Sequence, residues 1–569
     1  MKKKIVIIGA GTAGASAFAY LTHYFKEIAD VELIASEDIE TIGVGEATVG
    51  NINVFLESIG LEPEEICLKD SEGSIKYAVH LKDWYKDNHS YFTPIGLIGM
   101  DFHDYRLYDI SLKEYWLTWC GLKLATENKS PFLKKEYWNK LQLPNVWKEY
   151  AYNIDASLFA KKLLEVGEEK GGKRTFGNIV KLVSTQEDTI DHAVLDTGEK
   201  VYADFWVDCS GFKRLIKETL DIPMKKFKEL GNNRAWATRI PYIDRNAELP
   251  YLSGVECQSM NAGWRWQIGL KNRIGTGYVF NNNYISKEDA LKEIKNSFEE
   301  DRIKDEDCKL IEFETECMER QSGKNWISVG LSSGFVEPLE STSIFFMHNN
   351  LVTFASLMVN NKLPKDAQMV AITNWELPNP LEEWHDWSDR KIQVYNEYTL
   401  DTFKTTVDYV AAHYAFNQNN KSKYWDDWVI NRKKYLEECN KVFDYQNTRL
   451  FFSRPAWSLL AVGNELYPEE LNNWDLSKMF LFDRQKSDYN NGKFGTPPSV
   501  RDVINDRTQT EHLYTNRMYF GIIRMREMVS DKFKKYAYDL IDQYEHFNGE
   551  KVANFSERSS FDFLQDANF

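Results

Sequence analysis

The sequence lacks what several function classes require. It contains no run of the roughly 18 apolar residues that a bilayer-spanning helix needs, so no transmembrane segment is expected. It contains no CxxC pair, and its 7 cysteines, an odd number, are spread from Cys67 to Cys439. Such spacing argues against a zinc site and a disulfide framework, and predicts reduced thiols in a cytoplasm with no metal. Positive charge is in deficit, with 70 Lys and Arg against 86 Asp and Glu and a formal net charge of −16. An acidic surface repels phosphate backbones and anionic lipid, so neither nucleic acid nor a membrane is expected as a partner. Internal repeats and low-complexity tracts are missing too.

What the chain does have is length and aromatic rings. Its 569 residues suffice for two or three lobes, and its 17 Trp, 30 Tyr and 33 Phe serve to fill cores or line pockets for flat ligands. Lys2-Lys3-Lys4 before an apolar stretch imitate a secretory signal, but the glycines that follow have a use only in another reading. Residues 4–8 read as a short buried strand, 9–14 as a turn, 15–25 as a helix and 31–35 as a second strand. This order predicts a parallel sheet with a nucleotide at its strand ends. Residues 75–81 alternate as a half-buried strand does, and 201–207 and 326–329 read as further strands. After about Pro378 the texture turns acidic, Trp- and Tyr-rich and helical, as in 396–416, 424–443 and 531–547, while 490–498 mark a loop.

Gly9-Ala10-Gly11-Thr12-Ala13-Gly14 fits G-x-G-x-x-G between that first strand and helix. The first glycine permits a tight turn, the second lets the backbone approach a pyrophosphate, and the third lets helix and strand pack closely. The free N–H groups of the helix start complete an anion cradle. Glu37, just past the second strand, is the candidate for the ribose hydroxyl. There is one such fingerprint only, so reducing equivalents are expected to come from elsewhere.

Several stretches together resemble the flavin-dependent tryptophan halogenase family. They are Gly43-Val44-Gly45-Glu46-Ala47-Thr48, Asp208-Cys209-Ser210-Gly211-Phe212, Gly263-Trp264-Arg265-Trp266-Gln267-Ile268 and Gly334-Phe335-Val336-Glu337-Pro338-Leu339-Glu340-Ser341-Thr342. The resemblance implies an α/β, flavin monooxygenase-like FAD-binding fold with an added, mainly helical substrate lobe. Residues 1–90 and 150–378 would form the FAD-binding box, 91–149 and 379–530 the helical lobe, and 531–569 a C-terminal helix and tail. It also implies the chemistry: reduced FAD, dioxygen and halide give hypohalous acid, which passes through a tunnel to a chamber where an electron-rich ring is halogenated. A separate flavin reductase would supply FADH2, and the oligomeric state stays open, a homo-oligomer included.

Residue roles follow from the same resemblance. FAD contacts extend to Gly43, Val44, Gly45, Glu46, Ala47, Thr48, Val180, Gly211, Gly330, Leu331, Pro338 and Ile344. Lys76 matches the tunnel lysine, although pattern alone puts it with Ala78, His80 and Lys82 on a strand face where lysines usually meet water. Glu340 matches the glutamate that stabilises the cationic ring and takes its proton. Thr342 and Ser343 match the pair whose N–H groups hold halide, with serine where the family usually has glycine. Trp264 and Trp266 match the pair that keeps substrate from the flavin, and Gly330-Leu331 replaces the Gly-Asp typical of aromatic hydroxylases. On the substrate side His413-Tyr414 and Tyr424-Trp425 match family elements. Asn420 stands where a glutamate would bind the ammonium of tryptophan, and Phe92 where a histidine would stack on it. The expected function is therefore halogenation of an electron-rich aromatic other than free tryptophan, with bromide or iodide favoured. The alternatives are an aromatic hydroxylase or other monooxygenase, and a flavin-binding redox sensor without turnover.

Overall fold

The strand Lys3–Ile8 ends in four fully buried residues, Ile5 to Ile8, and it pairs on both sides. A strand covered on both faces has no solvent side to keep polar, which explains its unbroken apolar run. In the computed structural model, which describes residues 2–36, 45–95, 150–248, 254–298, 302–359, 380–419, 421–429 and positions 434, 456, 457, 460 and 464, this strand is central to a six-stranded sheet. The order is Ser322–Gly323, Trp326–Ser328, Phe205–Asp208, Lys3–Ile8, Ala29–Ala35, Lys173–Phe176, parallel throughout except at the Ser322–Gly323 edge.

Helix Thr12–Phe25 follows the first strand and is buried along most of its length. It packs against helices Ala156–Glu169 and Ser343–Val359. The first contact depends on a missing side chain, because a Cβ on Gly167 would lie 2.2 Å from the Phe18 ring. Helix Ser343–Val359 is buried nearly all round, polar residues such as His348, Asn349 and Asn350 included. Its Phe354 stacks on Phe25 and on Phe205 of the sheet.

The residues divide into two compact units: Met1–Ser74, Tyr152–Pro241 and Ile268–Val407 form one, and Ile75–Ala151, Tyr242–Gln267 and Asp408–Phe569 the other. This division differs from the boundaries expected at 90, 150 and 378. Ala78–Lys82 pairs in parallel with Val255–Met260 and antiparallel with Ser90–Pro94, so these segments belong to the second unit. The long helix Asp389–Ala415 begins in the first unit and ends in the second.

Two expected strands are split. The 201–207 run is Lys200–Tyr202 followed by Phe205–Asp208. Between them Asp204 leaves one sheet for the other, its carboxylate accepting from the backbone N–H of Lys4 and pairing with the Lys3 ammonium at 3.0 Å. The 75–81 run is Ser74–Lys76 and Ala78–Lys82, interrupted at Tyr77, whose carbonyl accepts from the Ile95 N–H. The helix expected over 396–416 spans Asp389–Ala415, and that over 424–443 is described as Lys423–Val429. The expected 490–498 loop and 531–547 helix lie outside the described residues. Among the described residues no helix is long and apolar enough to cross a membrane.

Candidate active site

The glycine turn has the geometry of a phosphate cradle. Gly9 has φ +98°, and a Cβ there would lie 2.6 Å from the Cys209 carbonyl oxygen. At Gly14 a Cβ would lie 1.8 Å from the Gly9 oxygen, so only glycine lets the helix start this close to the strand end. Gly11 is the opposite case: a Cβ would meet nothing within 4 Å. Open space therefore lies beside the start of helix Thr12–Phe25, whose N-cap, Gly11, makes no side-chain hydrogen bond. Uncapped N–H groups beside open space are what a dinucleotide pyrophosphate requires. These residues fit FAD.

Neighbouring turns converge on the same helix start. Gly330 has φ +73°, and a Cβ there would come within 2.7 Å of the Ala13 Cβ, so the Gly330–Ser332 turn carrying Leu331 lies against Ala13. Gly211 has φ +67° and open space before it, just after Asp208. The Asp208 carboxylate accepts from the N–H groups of Ser210 and Ile216 at 2.9 and 2.8 Å and fixes this turn. Val180 stands exposed on strand Ile179–Val183.

Strand Gly45–Ala47 pairs with Ala151–Asp155. Thr48 is fully buried and locked there, its N–H and hydroxyl both donating to the Tyr152 carbonyl at 2.9 Å. Burial, together with the nearby Asp155 carboxylate, pushes the Glu46 carboxyl up to about 7. Asp155 itself caps helix Ala156–Glu169 and pairs with Arg273 at 2.7 Å. Glu37, Gly43 and Val44 lie outside the described residues.

The Glu-Pro-Leu-Glu-Ser-Thr motif forms a second tight turn before a helix. Pro338–Glu340 is a single 3-10 turn, and Ser341 follows with φ 57°, in the left-handed region. That residue reverses the chain so that Thr342 directly precedes helix Ser343–Val359. The Thr342 carbonyl accepts from the Phe346 N–H, and its hydroxyl is buried with no hydrogen-bond partner among the described residues. Glu340 and Ile344 are buried beside it, while the buried Glu337 accepts from Asn232 at 2.9 Å.

In the second unit, Lys76 is wholly buried. The solvent-facing position that strand pattern alone predicts holds for Lys82 instead, which is partly exposed and pairs with Glu256 at 3.1 Å. Trp264, Trp266, His413, Tyr414, Tyr424 and Trp425 are gathered into one aromatic cluster. Its hub is Trp84, with ring centroids 5.0 Å from Tyr414, 5.3 Å from Trp425 and 6.4 Å from both Trp264 and His413. Trp428 stacks on Tyr414 at 4.6 Å. Sequence reasoning missed Trp84 and Trp428, because neither sits in a motif or a telling spacing.

Phe92 lies on strand Ser90–Pro94. It stacks on His80 at 4.4 Å, in register with Glu256 on the next strand. Glu256 also accepts from Arg265 and Gln267, the residues that alternate with Trp264 and Trp266 along their strand. Because side chains alternate between sheet faces, this row points away from the tryptophans. Tyr91 and Thr93 point the other way, and Tyr91 meets Asn464. Asn420 lies outside the described residues, but its neighbours are described. Asn419 donates to Ser259 at 3.1 Å, and the Lys421 ammonium reaches Ser259 at 3.0 Å and Asp87 at 3.2 Å.

Comparison with known proteins agrees with this geometry. The tryptophan halogenase family model matches residues 4–476. Tryptophan 6-halogenase SttH of Streptomyces toxytricini is 28% identical over 503 residues, covering 81% of this chain and 88% of that one. Tryptophan 7-halogenase RebH of Lentzea aerocolonigenes is 28% identical over 500 residues, covering 84% and 88%. Among solved structures, the flavin-dependent halogenase Xcc4156 of Xanthomonas campestris superposes with a TM-score of 0.72 at 20% identity, over 99% of this chain and 98% of the other. BrvH of Brevundimonas sp. BAL3, also a flavin-dependent halogenase, gives 0.69 at 23% identity, over 95% and 99%. With a glycine turn that fits FAD and a family match over most of its length, the chain belongs to the tryptophan halogenase family: it is a flavin-dependent halogenase, an oxidoreductase that uses reduced FAD and halide on an aromatic substrate.

Proposed function

We propose that this halogenase acts on a neutral, electron-rich aromatic rather than on free tryptophan, and that it accepts bromide or iodide at least as well as chloride. The observation that carries the substrate half is the loop after the aromatic cluster. Residues 417–421 read Asn-Gln-Asn-Asn-Lys, without a carboxylate, and Lys421 adds a positive charge. An ammonium brought to this loop finds no carboxylate within it, and the Asp87 carboxylate beside Lys421 is already paired with that lysine. A neutral indole or phenol needs no such counter-charge.

The roles follow from the chemistry of each group. The N–H groups from Gly11 to Gly14 take the pyrophosphate of FAD, with the turns at Gly45–Thr48, Gly211 and Gly330–Leu331 around the rest. When bound and reduced, FAD supplies the electrons with which dioxygen and halide yield hypohalous acid. Thr342 and Ser343 hold the halide by backbone N–H groups at a helix start, where the helix dipole favours an anion. Serine in place of glycine alters the size and polarity of that cradle, and bromide and iodide are intrinsically easier to oxidise. Buried Lys76 donates a hydrogen bond to hypohalous acid and positions it. Trp264 and Trp266 keep the substrate apart from the flavin, and Glu340 stabilises the ring cation and removes its proton. The first unit is assigned to FAD and the aromatic cluster of the second to substrate, and a separate reductase delivers FADH2.

The test measures kcat/KM for tryptophan and for 3-methylindole, which has the same ring without the amino acid. Reductase and FAD are supplied, and each halide is tried in turn. The reading expects 3-methylindole to exceed tryptophan by at least about tenfold, with bromide and iodide not inferior to chloride. Efficient chlorination of tryptophan would overturn it.

A further inference from the structure

The turn that carries Glu340 combines a strained backbone with a buried carboxylate. Ser341 has φ 57° and ψ 38°, a left-handed conformation that residues with a Cβ adopt rarely and keep only where the surroundings enforce it. On its C-terminal side helix Ser343–Val359 begins two residues later, with the Thr342 carbonyl accepting from the Phe346 N–H. On its N-terminal side the chain arrives from the short strand Gly334–Phe335, which pairs with Glu316–Met318. A Cβ on Gly334 would lie 2.7 Å from the Cys317 Cβ, so close packing fixes the entry.

Between these anchors stands Glu337. It is wholly buried, and its Oε2 accepts from the Asn232 Nδ2 at 2.9 Å. Asn232 is buried too, although it lies 105 positions away in the sequence. Backbone bonds hold its neighbour: the Asn233 N–H donates to the Phe280 carbonyl, and the Asn233 carbonyl accepts from the Phe313 N–H, each at 3.1 Å. Strand Arg234–Pro241 follows directly. Burying a carboxylate costs desolvation, and apolar groups of similar volume often serve stability as well or better. What a charged hydrogen bond adds is direction. It is stronger than a neutral one, and a chain that takes another path leaves the charge buried and uncompensated.

We infer that the Glu337–Asn232 bond is a positioning device. It fixes the path from Glu337 to Ser341, and so sets the place of Glu340 and of the Thr342 and Ser343 N–H groups. Neither partner need touch substrate, halide or flavin. The inference rests on the reading that this turn carries Glu340 and the halide pair.

The test follows single turnovers of the full chain, with enzyme in excess over reduced FAD, on mixing with oxygen, bromide and 3-methylindole. The readout is brominated product per flavin reoxidised, with FAD binding followed by flavin fluorescence. Asn232→Asp sets a second carboxylate against the first, and the two repel. Product per flavin is expected to fall by about tenfold or more while FAD still binds, since a displacement of about 1 Å costs a reacting group up to about 100-fold in rate. Asn232→Asp combined with Glu337→Gln exchanges carboxylate and amide, and should recover most of the product. Asn232→Ala, which removes the donor without adding charge, should fall between the two. Wild-type yield in Asn232→Asp would overturn the inference, and so would a double variant no better than the single one. Loss of FAD binding in step with product would make the pair part of the general fold and overturn it as well. Glu340→Gln in the same assay separates the inference from the reading beneath it. Full yield there would remove the turn from the chemistry, whereas full yield in Asn232→Asp would remove the positioning role alone.

Discussion

The two units solve different problems with different materials. The first is shaped at its turns by backbone: glycines where a Cβ would collide, and carboxylates such as Asp208 and Asp155 accepting from N–H groups. The second is built from side chains, with ring packed on ring around Trp84. Backbone recognition tolerates little change, because a Cβ in the wrong place collides whatever its chemistry. Side-chain recognition can be rewritten residue by residue. The departures from the family follow that division. The glycine fingerprint is intact, whereas residues 417–421 carry no carboxylate.

The contrast can be broken most severely at Lys76. Lys76→Ala is expected to abolish halogenated product while reoxidation of reduced flavin continues, as followed by mass spectrometry and stopped-flow absorbance. Wild-type product would remove Lys76 from the chemistry. Next in size is Glu340→Gln, which keeps shape but loses charge and base. Product formation should fall by about 10²–10⁴-fold at equal flavin occupancy, and an unchanged rate would make Glu340 structural.

Gly14→Ala tests the backbone side. Its Cβ would be driven to 1.8 Å from the Gly9 oxygen, so helix and strand must separate. FAD affinity, measured by flavin fluorescence, is expected to fall by more than about tenfold, a loss comparable to a broken cluster of phosphate bonds. Retained affinity would contradict the tight-packing role of this glycine.

The smallest effect concerns Glu46. Its folded pKa of about 7 lies above the ordinary 4.5, so the folded state holds a proton that the unfolded chain releases. This costs nothing below the ordinary value and becomes a growing penalty as pH rises towards 7. Glu46→Gln should therefore raise Tm at about pH 8 by roughly 2–4 °C and leave it unchanged near pH 4. A gain at low pH instead would reverse the sign of the burial argument.

How much was legible in the sequence follows the same division. The nucleotide turn could be read because each glycine answers a steric demand visible in its spacing. Residues 9–14 form the expected turn, although helix Thr12–Phe25 starts inside it. Lys76 could not be placed from strand alternation, since the break at Tyr77 and the burial of the strand come from distant segments. Trp84 escaped notice because a tertiary cluster leaves no periodic mark. Phe92 was matched to the substrate side by resemblance alone, and its stacking on His80 is a tertiary contact that no spacing announces.

The account turns on the loss of the ammonium counter-charge, and one competition measures it. Tryptophan and 3-methylindole are mixed at equal concentration with the enzyme, a flavin reductase, FAD and bromide, and the brominated products are counted by mass spectrometry at low conversion. The account predicts bromo-3-methylindole in excess by at least about tenfold, and a predominance of bromotryptophan would contradict it.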